Sequence, residues 1–99
     1  MLSEDEESLK EGDFSTAEAN YRRVIARDPK NTKAKYNLGN AYYAREKNRE
    51  AGKRYIEAAE VATSKAEKHK IYHNLGNVFM NEKKYREAVE AYKNALRNK

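Results

Sequence analysis

The sequence predicts an all-α fold, an α-solenoid of three antiparallel helical hairpins, and three observations carry that prediction. Tyr36-Asn37-Leu38-Gly39-Asn40 returns thirty-seven positions later as His73-Asn74-Leu75-Gly76-Asn77. Ala51, Tyr55 and Ala58 return as Ala88, Tyr92 and Ala95, and an earlier copy, Ala17, Tyr21 and Val24, stands thirty-four positions before them. The third observation is the spacing inside each copy. Leu38, Gly39 and Tyr42 fall at i, i+1 and i+4, and Ala51, Tyr55, Ala58 and Ala62 follow at steps of four, three and four. Each set therefore lines one stripe of a helix. A chain that repeats at this period stacks like units instead of wrapping a globule around one site. Function is then expected in a surface that the stack creates.

The first helix is expected near 3–11, capped by Ser3, with acids in its first turn where the helix dipole favours them. Glu4, Asp5 and Ser8 hold the places of Leu38, Gly39 and Tyr42, so this helix is a cap or a frayed end, not a standard element. Gly12-Asp13 marks its turn, and the second helix runs over 15–27 to Asp28-Pro29. The third helix covers 32–45, and the short polar stretch Glu46-Lys47-Asn48 makes its successor, 49–63, an antiparallel neighbour. No Asp-Pro follows this pair. Three extra residues stretch the spacing at Glu60 to Ala66, and Ser64 with Glu67 forms a capping-box pattern that starts the next helix, 66–82. A longer fourth helix or an earlier start to the fifth absorbs the addition. Lys83-Lys84 turns the chain into a last helix over 85–97. The units are about 1–31, 32–65 and 66–99. Gly39 and Gly76 cost about 0.8–1 kcal/mol each relative to Ala in mid-helix. Their return at one place is explained if a missing Cβ lets the partner helix approach, helped by Ala51, Ala58, Ala88 and Ala95. Tyr42, Tyr55, Phe79 and Tyr92 then fill the remaining space.

Leu-Gly, an aromatic three residues on, then Ala, an aromatic and Ala, closing with Asp28-Pro29, resembles the tetratricopeptide repeat (TPR). The resemblance covers nearly the whole chain and is strongest in the second and third units. It implies a short right-handed superhelix and a non-enzymatic protein-interaction module, with the first helix of each pair lining the concave side. More loosely, the extended junction, the Asn-Leu-Gly-Asn blocks and the ending Tyr92-Lys93-Asn94-Ala95-Leu96-Arg97-Asn98 are similar to the TPR proteins of bacterial aerotolerance (Bat-type) systems. That likeness implies a periplasmic setting. Without it the compartment is open, with a soluble cytoplasmic protein as the default.

Composition narrows the classes. With 99 residues, 37% of them charged, the chain makes one domain and confines its core to narrow interfaces. No apolar run is long enough to span a membrane, and Met1-Leu2-Ser3 leads directly into acid without a signal-peptide pattern. The chain has no cysteine, hence no disulfide or thiolate chemistry. The net charge of +5 is segregated: residues 1–19 hold seven acids against Lys10, and the remainder holds twenty bases against nine acids. A solvated outer face accounts for such charge, and a basic surface that steers an acidic partner is the functional alternative.

On the concave side the resemblance places Lys33, Tyr36, Asn37, Asn40 and Tyr43 from unit two, and Lys70, His73, Asn74, Asn77 and Met80 from unit three. Asn carries donor and acceptor, so it can bond the backbone of a peptide without demanding a sequence. Lys33 and Lys70 can meet a carboxylate, and the rings supply contact area at low entropy cost. The alternative is that these asparagines only conform to a repeat consensus. The clamp by which related domains hold acidic chaperone tails is a poor fit. Asn37 and Lys70 match it, whereas Leu2, Glu6 and Asn74 replace its other members and Glu6 would repel a carboxylate. His69 and His73 stand at i, i+4 without a third ligand, so no metal is expected, only a mild pH response of the groove. No phosphate loop, Ser-His-Asp grouping or cofactor motif supports catalysis. Bases dispersed over all units, with tyrosines at packing positions, leave nucleic acid an unexpected partner. Val89, Tyr92 and Leu96 form a stripe that a following helix would cover. Self-association through that edge, or membership of a longer array, is the second functional reading.

Overall fold

The computed structural model describes residues 4–99, with side chains from Glu11 onward. The expected cap at Ser3 and the side chains of Leu2 and Glu6 lie outside the described residues. Five helices follow in order: α1 (Glu4–Arg27), α2 (Thr32–Ala44), α3 (Asn48–Val61), α4 (Lys65–Asn81) and α5 (Tyr85–Arg97). α2 pairs with α3 and α4 with α5, α3 joins the two pairs through α4, and α1 packs on α2. This is an all-α solenoid of helical hairpins, with no strand among the described residues.

Local chemistry sets the helix ends. Asn31 caps α2 by accepting from the Ala34 amide at 2.9 Å. Ser64 and Glu67 form the expected box: the Ser64 hydroxyl accepts from the Glu67 amide at 3.0 Å and donates to its carboxylate at 3.1 Å. Both hairpin turns place a residue in the left-handed region, Glu46 at φ 60 and Lys83 at φ 61. That geometry lets Lys47 donate to the Tyr42 carbonyl and Lys84 to that of Phe79, satisfying carbonyls at the helix ends. The three extra residues of unit three extend α4 at its start. α3 ends at Val61, in register with the end of α1 at Arg27, whereas α4 begins four residues before His69, the partner in register of Thr32.

One expected turn does not form. α1 runs unbroken through Gly12-Asp13, and Gly12 does not take a positive φ. Folding residues 3–11 back would put Glu4 where Leu38 is 1% exposed, and Asp5 where Gly39 meets a tyrosine ring. Burying two carboxylates without partners costs far more than the roughly 1 kcal/mol of one glycine in an exposed helix. The helix therefore continues unbroken.

The core is narrow, as the composition requires. Leu38, Tyr42, Ala51, Tyr55, Ala58, Ile71, Leu75, Val78 and Ala91 are buried together, with Phe14, Tyr21 and Ile25 of α1 packed against them. Its geometry is set by rings lying on glycines. A Cβ at Gly39 would stand 2.6 Å from Cδ1 and Cε1 of Tyr55, and one at Gly76 would stand 2.6 Å from Cδ1 of Tyr92. Gly52 is milder, 3.3 Å from Val78 Cγ1. Gly39→Ala should therefore lose about 1–2 kcal/mol in urea denaturation, the helix-propensity gain being outweighed by displacement of a buried ring. Gly52→Ala should stay within about 1 kcal/mol of the parent protein, because tighter packing and better propensity nearly offset.

Candidate functional site

α2 and α4 lie side by side, and the residues not used for packing on α3 and α5 form a shared face. Each ring on a glycine also carries a hydroxyl that reaches this face. Tyr55 donates to Asn40 Oδ1 at 2.6 Å, and Tyr92 donates to Asn77 Oδ1 at 2.6 Å. The two units thus repeat one three-residue device: glycine, ring above it, asparagine oriented by the ring hydroxyl.

A second set of bonds ties the helices to each other. Asn74 Nδ2 donates to Tyr36 Oη at 2.8 Å and to Asn40 Oδ1 at 3.4 Å. Asn81 donates to Tyr43 Oη at 3.4 Å and to Asn48 Oδ1 at 3.3 Å. The Tyr36 ring lies 5.7 Å from that of Tyr55, and Lys70 Nζ stands 5.1 Å above the Tyr36 ring. His73 packs its ring 5.8 Å from Tyr92.

These bonds decide what the asparagines can offer. With their oxygens taken by tyrosine hydroxyls, Asn40 and Asn77 keep Nδ2 donors that bond nothing among the described residues. Asn74 is the reverse: its nitrogen is engaged, and its oxygen carries no bond there. Asn37 makes no side-chain hydrogen bond among the described residues. It lines a cavity of about 210 Å³ between α2 and α4 with Thr32, Lys33, Tyr36, Glu67 and Lys70. Lys33 and Met80 are exposed, and Tyr43 is half-buried farther along α2.

The structure therefore gathers Lys33, Tyr36, Asn37 and Lys70 around one cavity, links Asn40 with Asn74, and groups Asn77 and His73 at Tyr92. Asn81 joins this face although the repeat pattern does not mark it, because its counterpart in unit two is Ala44. His69 faces elsewhere. Its Nδ1 lies 2.6 Å from the Ala95 carbonyl, to which it donates at the end of α5. Among the described residues no group of three metal-ligating side chains comes together, and no helix is long and apolar enough to cross a membrane.

At the far edge, Val89 is 50% and Leu96 66% exposed. Tyr92 stands between them along α5, and its ring covers Gly76 while its hydroxyl faces Asn77. A cavity of about 380 Å³ opens between α4 and α5, lined by Tyr72, Leu75, Phe79, Ala91 and Asn94 among others.

Comparison with known proteins agrees with this architecture. A family model described as tetratricopeptide repeat matches residues 8–75, and a second of the same description matches residues 69–99. A search of curated proteins finds no match. Among solved structures, the chain is similar to the crystal structure of MamA, with 18% identity and a TM-score of 0.51 over 100% of this chain and 76% of that one. At that identity the likeness concerns the fold.

Burial, above all, raises the Tyr55 hydroxyl pKa well above its ordinary value, and the Tyr42 hydroxyl moves the same way for the same first reason. An unfolded tyrosine releases its proton near pH 10, whereas folded Tyr55 retains it, so the folded state binds more protons above that pH. The contribution is complete below about pH 10 and is lost as pH rises further. Tyr55→Phe should cost about 1 kcal/mol near neutrality by removing the bond to Asn40. The variant's urea midpoint should also fall less steeply than that of the parent protein above about pH 10, with Tyr42 responsible for the decline that remains.

Proposed function

The chain belongs to the tetratricopeptide-repeat family, whose repeats mediate protein–protein interaction, and from that premise we propose that the α2–α4 face holds an extended peptide or partner helix without catalysing any reaction. The observation that carries this reading is the pair of unengaged donors, Asn40 Nδ2 and Asn77 Nδ2, held in like orientation by Tyr55 and Tyr92. Donors of this kind bond main-chain carbonyls, which every peptide has. Asn74 Oδ1 accepts a main-chain N–H, and Asn37 contributes either. Tyr36, Tyr43, His73 and Met80 give contact area, and Lys33 and Lys70 favour an acidic ligand at the end where Asn37 lies.

The groove is not a chaperone-tail clamp on this reading. Such a clamp needs a cation at the place of Asn74, and here that residue offers an oxygen, which repels a carboxylate. The ligand is therefore held mainly through its backbone, with acidity as a preference at one end.

A second reading is assembly through the α5 edge. The exposure of Val89 and Leu96 supports it, with Tyr92 contributing to the groove instead. Sedimentation that shows the same mass for parent protein and for a Val89→Glu, Leu96→Glu variant at high concentration would remove this reading.

The groove is tested by Asn40→Asp and Asn77→Asp, which keep the oxygen that each tyrosine needs and replace the outward donor by an acceptor. Circular dichroism should be unchanged. Binding to a library of acidic extended peptides, read by fluorescence anisotropy, should weaken by about tenfold per substitution. Unchanged affinity for every peptide that the parent protein binds would move recognition off this face.

A further inference from the structure

We propose that the end of the stack where α2 and α4 begin is a docking surface for an acidic polypeptide segment. Bases are spread over every unit of the sequence, but antiparallel helices return the chain to the same two ends. Residues 27–33, 60–70 and 96–99 therefore gather at one end, and contacts across it tie them together. The Asn31 amide donates to the Asp28 carbonyl at 3.0 Å, Lys33 and Lys70 line one cavity, and His69 donates to the Ala95 carbonyl at 2.6 Å.

Charge divides between the two ends. The three segments just named hold eight bases against three acids. At the opposite end, residues 11–13, 44–50 and 81–87 hold six of each. Pairing follows the same division. At the balanced end Arg45 meets Glu11, Lys84 meets Glu82 at 4.0 Å, and Lys47 Nζ lies 5.2 Å over the Phe14 ring. At the basic end none of the eight bases forms an ion pair among the described residues. Seven of them are exposed, Lys68 alone being half-buried. Of the three acids, Glu67 is engaged by Ser64. Like charges gathered without partners repel one another and raise the local potential. An acidic partner relieves that repulsion and is steered in by it.

Two features select a polypeptide. The first is continuity with the α2–α4 face, and this step rests on the groove reading. Lys33 and Lys70 belong to both surfaces, so a peptide that reaches Asn37 leaves the face across this end. Its flanking residues then pass the starts of α2 and α4, where Lys30 and Lys65 stand. The second feature is the kind of cation. Six of the eight are lysines, point charges without the bidentate fork that fits phosphate. Arg97, one of the two arginines, donates to Asn94 Oδ1 at 2.8 Å. The Tyr36 ring beside the cavity is already covered, by Lys70 at 5.1 Å and by Tyr55 at 5.7 Å. A nucleobase finds no open face there on which to stack.

The probe is a fluorescein-labelled poly-glutamate of about 20 residues, read by anisotropy against the whole chain at low salt. The parent protein should bind it, and about 0.5 M salt should weaken binding about tenfold or more. Lys30→Glu, Lys65→Glu and Lys99→Glu together should cost about tenfold or more. Circular dichroism should be unchanged, because all three residues are exposed and none lines the cavity. Reversing three exposed bases at the opposite end, Arg49→Glu, Lys83→Glu and Arg86→Glu, changes the net charge equally. That control should cost about threefold at most, through the long-range field alone. No binding at low salt, or an equal response to both triple variants, would overturn the proposal. So would tighter binding of an oligodeoxythymidine of about the same length with the same loss on reversal of Lys30, Lys65 and Lys99, because the surface would then suit nucleic acid. The groove reading fails by another route, when peptides ignore Asn40→Asp and Asn77→Asp, so the two failures are told apart.

Discussion

A tyrosine ring resting on bare backbone is the contact on which the rest depends. Tyr55 over Gly39 and Tyr92 over Gly76 leave no room for a Cβ, so each sets how closely the two helices of a hairpin approach. Ala51, Ala58, Ala88 and Ala95 complete the approach from the opposite helix, all of them buried. Distance in turn fixes the reach of the ring. With the ring on the glycine, the hydroxyl arrives at the next residue of the facing helix, an asparagine in both units. Core packing and the presentation of the groove are therefore one geometry. The small residues are a structural necessity, and the polar consequence follows from where the ring must end.

This coupling explains why the groove asparagines differ. Asn40 and Asn77 have the same neighbour in register and the same free donor, whereas Asn74 stands one turn away and spends its nitrogen on Tyr36 and Asn40 of the preceding unit. The first pair is oriented from within a hairpin, and Asn74 is oriented between hairpins. A substitution in the core should reach the face by this route: shifting Tyr55 displaces Asn40, and with it one of the bonds by which α4 is tied to α2.

Much of the architecture was legible in the sequence because repetition shows packing positions twice. The places of α2 to α5 followed from the stripes of Leu, Gly, Ala and Tyr, and the early start of α4 from Ser64 and Glu67. The unbroken α1 was not foreseen, although Glu4 and Asp5 were visible at the Leu and Gly places. The Gly12-Asp13 turn signal is outweighed by the desolvation that a returning helix would impose on those carboxylates. The membership of the face was partly legible, and its polarity was not. That Asn40 offers only a donor depends on a hydroxyl fifteen residues away, and no pattern of residue types records which end of an amide is taken. Asn81 escaped for a related reason: it bonds across units at a place where the repeat has no echo.

The most direct test of this account is a double-mutant cycle between Gly76 and Tyr92, read as unfolding free energy in urea. If the glycine exists to seat the ring, Gly76→Ala should destabilise the parent protein and stabilise the Tyr92→Ala protein, where only the helix-propensity gain of about 1 kcal/mol remains. The reversal of sign is the prediction. An equal loss from Gly76→Ala in both backgrounds would contradict it, because the glycine would then answer to something other than the ring.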